Sequence, residues 1–269
     1  TVGVVLAPAA MSGLRLSLDW YQIRLKDAIS SLTAQRIVDL CARSGKLCDR
    51  ISFASPQDIV RIDAQQVNTA RIDVRGFDLE ASYRLPLSRF LPRATGAIDL
   101  RLLANHQYGL VAQQLALVQP LNYAGQSGPV IEGSDFSPMP KWVWQGMIGY
   151  DSPTFDLTLT VRHVGKAALN SEWIGPDDPR YDPTLPNSVN INRVPSATYF
   201  GLAFSRTIPL GAPDRRSVEL FGVIDNLFDR KPSVAPGGGA NGLLSAYPTN
   251  PVYFDTFGMR WKLGLRVQL

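Results

Sequence analysis

Apolar and polar residues alternate along much of this chain, most clearly in its final stretch, GMRWKLGLRVQL. From Phe257 to Leu269 every second residue is apolar, and the residues between them are glycine, glutamine or cationic. A period of two places neighbouring side chains on opposite faces of a β-strand. The pattern predicts a strand over 254–269 that has one apolar face and one cationic face.

The same period recurs upstream, as in TFDLTLTVRHVG at 154–165, so the sequence predicts an all-β fold. The phase of the alternation changes after Trp20, which predicts a β-bulge in that strand. Residues 59–69 are expected to be extended as well, as a continuation of the third strand. The predicted strands are 1–7, 14–25, 70–84, 95–109, 139–150, 154–168, 196–208, 217–226 and 254–269.

Short and long connections alternate between these strands. The short connection DSP at 151–153 carries turn residues, whereas long connections such as 110–138 and 227–253 would be unusual in a compact soluble domain. Outer-membrane barrels have short periplasmic turns and long extracellular loops, and their aromatic residues gather near the strand ends, as they do here. The expected fold is therefore an antiparallel transmembrane β-barrel meander, and a soluble β-sandwich is the alternative.

Composition and charge narrow the function classes. Hydrophobic residues make up 45% of the chain, which is not a disordered composition. The net charge of +4 comes without a clustered basic run, so a nucleic-acid partner is not expected. No apolar stretch approaches the roughly 18 residues of a membrane-spanning helix. The sequence begins inside an apolar segment, TVGVVLAP, without an initiator methionine, and we expect it to be part of a longer chain.

Two cysteines, Cys41 and Cys48, lie in the first long connection. Together with two distant histidines they cannot supply a typical four-ligand zinc site. They are either two unpaired buried thiols or, as we favour, a disulfide in an oxidising compartment. The preceding segment, SSLTAQRIVDLCARSG, has helical spacing and predicts a short helix that ends near Gly45.

No catalytic motif is present, so neither an enzyme nor a cofactor is expected. In the long connections, aromatic rings and paired carboxylates could contact a substrate, although loop packing and solvated loop surface are the simpler interpretations. These candidates are Tyr123, Phe136, Trp173, Asp177, Asp178, Tyr181, Tyr247 and Tyr253. A second set is predicted to face a wet barrel lumen: Arg101, Arg162, Arg260, Lys262 and Arg266, with the acidic residues Asp78, Glu80, Asp99 and Asp156.

Three stretches resemble one protein family, the TonB-dependent receptors. VIDNLFDRKP, with Asn226, Leu227, Phe228 and Asp229 at its centre, is similar to the motif of the family's penultimate strand. LRLSLDWYQIRLKDAI at 14–29 and VNTARIDVRGFDLEASYRL at 67–85 resemble two earlier barrel strands of the family. The chain departs from the family's usual pattern at its last residue, which is Leu269 rather than Phe or Trp.

The resemblance implies a plugged outer-membrane barrel of about 22 strands. The nine strands predicted over residues 1–269 would then be its C-terminal portion, and the plug domain and N-terminal strands would lie outside this chain. Such a receptor binds a scarce substrate (a siderophore, cobalamin, an oligosaccharide or a metal chelate) and imports it with energy from the TonB complex. Its expected partners are TonB, the small-molecule substrate and outer-membrane lipid, and the full-length protein is expected to be a monomer. A passive porin-like channel or adhesin, and a soluble β-sandwich binding module, are the alternative functions.

Overall fold

The computed structural model contains one large antiparallel sheet, whose nine main strands follow one another in sequence order. It describes residues 1–30, 32–65, 67–113, 119–128, 139–211, 216–236 and 248–268. The strands are β1 (Val2–Leu6), β2 (Leu14–Ser30), β3 (Val67–Pro86), β4 (Ala97–Gln113), β5 (Trp142–Asp151), β6 (Phe155–Val164), β7 (Ala197–Pro209), β8 (Ser217–Asp225) and β9 (Arg260–Gln268). Each strand pairs with the next, and β1 and β9 form the two edges, so the sheet is an open segment of a barrel wall. The predicted meander is confirmed.

The strand register assigns the two faces of the sheet. Leu79 of β3 pairs with Leu18 of β2 and with Ala104 of β4, and Ala104 pairs with Trp144 of β5, so these apolar side chains share one face. The apolar face continues across the sheet to Trp261, Leu263, Leu265 and Val267 of β9. Alternate residues, which are largely charged or hydrogen-bonding, form the opposite face. This arrangement is the apolar-out, polar-in pattern of a barrel wall that separates lipid from a wet lumen.

The connections differ sharply in length at the two ends of the sheet. One end carries the short connections, among them residues 152–154 between β5 and β6. The other end carries four long connections, which we call loop 1 (31–66), loop 2 (114–141), loop 3 (165–196) and loop 4 (226–259). The predicted alternation of short and long connections is therefore confirmed.

Loop 1 contains the predicted helix and the predicted disulfide. Helix α1 spans Ala34–Ser44, begins with the Thr33 hydroxyl accepting from the Arg36 amide, and ends at Gly45 in the left-handed conformation. The sulfurs of Cys41 and Cys48 are bonded, which clips the end of the helix to the chain that follows. Within the described residues no helix is both long and apolar enough to span a membrane.

The predicted extension of the third strand through 59–69 is confirmed for 67–69 and wrong for 59–62. Residues Ile51–Ser55 and Asp58–Ile62 instead form a separate hairpin in loop 1, and β3 begins only at Val67. The reason is a small loop core, in which Ile51 of the hairpin is buried together with Ile37 of α1. This packing against the helix stabilises the hairpin as a separate element, so its residues do not continue the barrel strand.

The predicted bulge near Trp20 is also absent, because β2 pairs with β3 without interruption from Leu14 to Leu25. The irregularity lies between Leu25 and Ala28, where Asp27 has a φ of 55°. The change of phase after Trp20 instead marks a change of environment along an unbroken strand. Above Trp20 the polar residues lie on the face that is apolar lower down.

Two predicted strand boundaries move because loop residues have their own partners. β9 begins at Arg260 rather than at 254, since Phe254 is buried in the loops and Gly258 turns the chain with a φ of 77°. β6 ends at Val164 rather than at 168, and Ala167–Ala168 pairs instead with Arg193–Val194 inside loop 3. Both differences arise from contacts between segments that are distant in the sequence.

Candidate functional site

The polar face of the sheet carries carboxylates and guanidinium groups paired across neighbouring strands. Arg101 of β4 donates to Glu80 of β3 at 2.9 Å, and Arg266 of β9 donates to Glu219 of β8 at 2.6 Å. Arg84 donates to two carboxylates, which belong to Asp99 at 2.7 Å and Asp151 at 2.6 Å. Exposed pairs of this kind contribute little to stability, because water screens the attraction. Their main effect is to line this face with fixed charges that hold water.

The remaining acidic residues predicted for the lumen are hydrogen-bonded to polar neighbours on the same face. The Asn105 amide donates to Asp78 at 2.8 Å and to the Tyr21 hydroxyl at 3.0 Å. The Ser205 hydroxyl donates to Asp156 at 2.8 Å. The predicted lumen face therefore carries local groups of hydrogen-bonded polar side chains on strands from β2 to β7.

Arg162 of β6 differs from the other lumen arginines because its contacts are uncharged. Its guanidinium donates to the backbone carbonyl of Tyr253 in loop 4 and lies over the Tyr199 ring, 5.4 Å from the centroid. No carboxylate lies within ion-pair distance of Arg162 in the described part of the chain. Its side chain borders two lumen cavities of about 460 and 550 Å³. Arg162 thus presents a positive charge to the lumen directly beneath the loops.

Two more of the predicted cationic residues of β9, Arg260 and Lys262, lie on the same wall as Arg266. Arg260 is 3.9 Å from Asp225 and 4.0 Å from Asp255, and it lies over the Phe257 ring at 5.0 Å. Lys262 is exposed, and the described residues contain no ion-pair partner for it. Arg260 and Arg162 both border the 460 Å³ cavity, whose lining also includes the carboxylates of Asp225 and Asp255.

Loops 2, 3 and 4 pack on one another above this wall. Ala168 of loop 3 exchanges backbone hydrogen bonds with loop 2, donating to Gly125 at 2.7 Å and accepting from Ser127 at 2.8 Å. Loop 4 joins them through the Ser233 hydroxyl, which donates to the carbonyl of Pro195 at 2.9 Å. Their shared core consists of Val164, Val194, Ala197, Tyr199, Ala235 and Phe254. Loop 1 reaches the same group, because Arg36 of α1 lies 3.5 Å from Glu172 of loop 3.

The motif at 226–229 fixes the turn between β8 and loop 4. Asn226, which is 5% exposed and has a φ of 50°, accepts from the Arg230 amide at 2.8 Å and donates to the Asp255 carboxylate at 2.8 Å. Asp229, also at positive φ, accepts from the Met259 amide at 3.0 Å just before β9 begins. These bonds tie both ends of loop 4 together.

The hydrophobic residues of the motif lie on the outside of this turn. The Leu227 amide donates to the carbonyl of Phe200 at 2.7 Å, and Phe228 packs edge-on against the Phe200 ring at 5.2 Å. Phe228 remains 69% exposed on the apolar face. All four positions of the motif thus hold the turn, and Asn226 also borders the 460 Å³ lumen cavity.

Four of the predicted substrate-contacting residues lie together in loop 3. Trp173, Asp177 and Asp178 border a cavity of about 510 Å³, and the Tyr181 amide donates to the Asp178 carbonyl at 2.9 Å. The Arg180 guanidinium and amide both donate to the Asp178 carboxylate, and these bonds lower the pKa of that carboxyl to about 2. Trp173 and Asp177 remain exposed, so this cavity offers an aromatic ring beside a carboxylate.

The other candidates are distributed differently. Tyr123 is 8% exposed and packs against Ile72, Leu110 and Ala112, so its ring belongs to the loop 2 core. Tyr253 packs against the shared loop core, and burial raises the pKa of its phenol to about 12. Phe136 and Tyr247 lie outside the described residues. The structure thus brings together the loop 3 residues and separates them from Tyr123.

The hydrogen bonds of Asn170 and Asn192 that shape loop 3 could not be predicted from the sequence. Asn192 donates to the carbonyl of Trp173 at 2.8 Å and to that of Asn170 at 3.0 Å, and it accepts from the Asn170 amide at 3.0 Å. The only available signal was an abundance of Asn, Asp and Pro, which indicates turns in general and names no partners. Sequence reasoning also missed Arg260 and Arg162 as neighbours of one cavity.

Comparison with known proteins identifies the family to which this sheet belongs. Residues 1–227 match the family model described as "TonB dependent receptor-like, beta-barrel". The chain belongs to the TonB-dependent receptor β-barrel family. Members of this family are barrels of the bacterial outer membrane, so the apolar face of the sheet meets lipid and its polar face meets the lumen. Loops 1 to 4 are on the extracellular side, where the long loops of such barrels lie.

Solved structures agree with this fold. A double mutant of the ferric enterobactin receptor of Pseudomonas aeruginosa matches 98% of the chain with a TM-score of 0.55 and 18% identity. The siderophore receptor PirA of Acinetobacter baumannii matches 99% of it with a TM-score of 0.52 and 12% identity. The chain spans 30% and 31% of these two proteins. A search of curated protein sequences found no match.

Proposed function

We propose that this chain forms the C-terminal part of the barrel wall of a TonB-dependent receptor that imports a scarce small molecule across the outer membrane. The remaining strands and a plug domain would come from the polypeptide outside residues 1–269. The family match over a sheet with one lipid-facing and one charged, hydrogen-bonded face carries this proposal. Energy would be supplied by the TonB complex acting on the plug.

The lumen charges and the packed loops support a role in substrate passage. Arg162 and Arg260 border one recess beneath loop 4 together with the carboxylates of Asp225 and Asp255. Because Arg260 is paired with those carboxylates, a passing anionic group would meet chiefly the guanidinium of Arg162. Guanidinium forks bind carboxylates and phosphates well. One structural neighbour is named a ferric enterobactin receptor and the other a siderophore receptor, so siderophores are the first class to test, ahead of cobalamin, oligosaccharides and other metal chelates.

The substrate class can be tested by calorimetry on the full-length receptor in detergent. The titrants are a ferric siderophore, cobalamin, a neutral oligosaccharide and free ferric citrate. We expect one class to bind in the micromolar range or tighter, and Arg162→Ala to weaken an anionic ligand by five-fold or more. Arg101→Ala is the matched control, because it removes a lumen arginine that is already paired with a carboxylate. Failure of every class to bind would contradict the receptor proposal.

A conductance measurement distinguishes the passive-channel hypothesis from the receptor hypothesis. A plugged receptor in a planar bilayer should show almost no current, whereas an open pore conducts ohmically. Steady open-channel current from the full-length protein would favour the passive porin-like alternative.

A further inference from the structure

A belt of aromatic side chains marks the extracellular edge of the lipid-facing surface. The Trp20 indole donates to the Tyr108 hydroxyl at 2.9 Å, and the Phe77 ring lies 5.6 Å from that of Tyr108. On the neighbouring strand pair, His106 stacks on Trp142 at 4.1 Å. Amphipathic rings of this kind settle at the boundary between hydrocarbon and headgroups. The outer face above this belt therefore lies outside the hydrocarbon.

Strands β2 and β3 continue beyond the belt, and their outer face becomes polar. Asp73, only 4% exposed, accepts from Arg75 at 2.8 and 3.0 Å and from the Gln22 amide at 3.1 Å. Arg24 lies 3.4 Å from the same carboxylate and also donates to Gln22 at 3.1 Å. These bonds hold two guanidinium groups side by side on the outside of the barrel.

The inner face at this height is apolar, which is the reverse of the pattern lower in the wall. Ile72, Leu110 and Ala112 are 4–6% exposed and pack beneath loop 2. The outward direction of the polar residues is therefore fixed by burial on the opposite side. The strand cannot slip by one residue to hide the arginines without exposing this core.

The outer cluster has more positive than negative charge. Arg24 and Arg75 share the carboxylate of Asp73. The exposed Arg71 lies on the same face of the strand, two residues before Asp73, and adds a third positive charge. The Nη1 atoms of Arg24 and Arg75 hold no hydrogen bond within the part of the chain that the structure describes. Their side chains are 56% and 44% exposed. The cluster thus offers free guanidinium donors toward the surroundings of the barrel.

The height of the cluster matches the lipid headgroup layer. Arg75 lies two residues beyond Phe77, or roughly 7 Å along the strand, and strand tilt reduces this to about 5 Å. The headgroup layer on each side of the hydrocarbon is about 5–7 Å thick. We propose that Arg24, Arg71 and Arg75 form a docking site for the phosphate groups of a phosphorylated lipid in the outer leaflet. The planar guanidinium fork is well matched to phosphate oxygens.

The site is tested by native mass spectrometry of the full-length receptor reconstituted in nanodiscs of phosphatidylcholine with 10% diphosphorylated glycolipid. Two variants remove the site in different ways. Arg24→Gln with Arg71→Gln leaves the Asp73–Arg75 pair intact, so folding is preserved. Arg24→Gln, Asp73→Asn and Arg75→Gln together remove the cluster without leaving a buried carboxylate unpaired. The control is Arg101→Gln, which removes an arginine of similar exposure, 51%, from the lumen face.

We expect wild type and the control to retain the glycolipid, and both site variants to retain at least five-fold less. Removing the phosphates from the glycolipid should have the same effect on wild type as the variants do. Equal retention by wild type and both variants would overturn the proposal. So would equal retention of the dephosphorylated lipid, or tight binding of inorganic phosphate alone that displaces the lipid.

Discussion

Asn226 is the residue whose loss should damage the wall most selectively. Its side chain makes three hydrogen bonds, at 2.8, 2.8 and 3.0 Å, to the Asp255 carboxylate and to the amide and carbonyl of Arg230. Each bond contributes about 0.5–1.5 kcal/mol, with more for the bond to the charged carboxylate. Its φ of 50° adds a further cost of about 1 kcal/mol when alanine takes its place. Asn226→Ala should therefore destabilise the turn by roughly 3–5 kcal/mol.

Hydrogen exchange of the full-length receptor measures this loss locally. Because 1.4 kcal/mol corresponds to a factor of ten, amide protection in peptides covering 226–236 and 248–260 should fall about 100-fold or more. The central strands should change little. Asn226→Gly keeps the left-handed backbone accessible but loses the side-chain bonds, so we expect it to fall between wild type and alanine.

The matched control is Asn190→Ala, which removes an exposed asparagine of loop 3. Its exchange should match wild type within about three-fold. If Asn226→Ala also changes protection by less than three-fold, the motif does not hold the turn and the reasoning is refuted.

Three further outcomes follow from the described contacts. Replacing Cys41 and Cys48 with serine should destabilise α1 and the loop 1 hairpin by about 2 kcal/mol, which is what a disulfide closing a short loop contributes. Hydrogen exchange should become faster over 34–62, while exchange in β2 and β3 stays unchanged. Unchanged exchange in loop 1 would contradict this prediction. The Asp178 carboxylate should stay ionised and paired with Arg180 at pH 3, because the pair lowers its folded-state pKa to about 2. Its contribution to stability is complete above the unfolded pKa of about 4 and is lost as the pH falls through about 2; carboxyl NMR shifts that titrate near pH 4 would argue against it. Arg101→Ala should change the urea unfolding midpoint by the equivalent of 1 kcal/mol or less, because both partners are about half exposed, and a larger loss would mean that the lumen pairs are structural.

The strands were predictable because the wall of a membrane barrel requires apolar and polar residues to alternate within each strand. Each strand has lipid on one side and water on the other, so the alternation of Leu157 and Leu159 with Thr158 and Thr160 is decided residue by residue. The helix in loop 1 was also predictable from local sequence, because Thr33 and Gly45 are its N-cap and C-cap. Family membership could likewise be inferred from short motifs carried by these strands.

The loops were not predictable in the same way. Phe254 falls within the predicted strand 254–269, yet it lies outside β9 because its ring is buried against Val164 at the end of β6 and Val194 of loop 3. The reversal of polarity above Trp20 looked like a bulge in sequence, since only the neighbouring strand shows that Asp73 lies beside Arg24. Such outcomes depend on partners far away along the chain, and a single sequence does not identify those partners.

The most direct test of the central claim is uptake in cells that express the full-length receptor. Accumulation of a labelled substrate identified by calorimetry should be compared in matched strains with and without TonB, at equal receptor levels in the outer membrane. A TonB-dependent receptor predicts accumulation that requires both the receptor and TonB and that stops when the proton gradient is dissipated. Receptor-dependent accumulation that is unchanged without TonB would contradict the account and point to passive diffusion through the barrel.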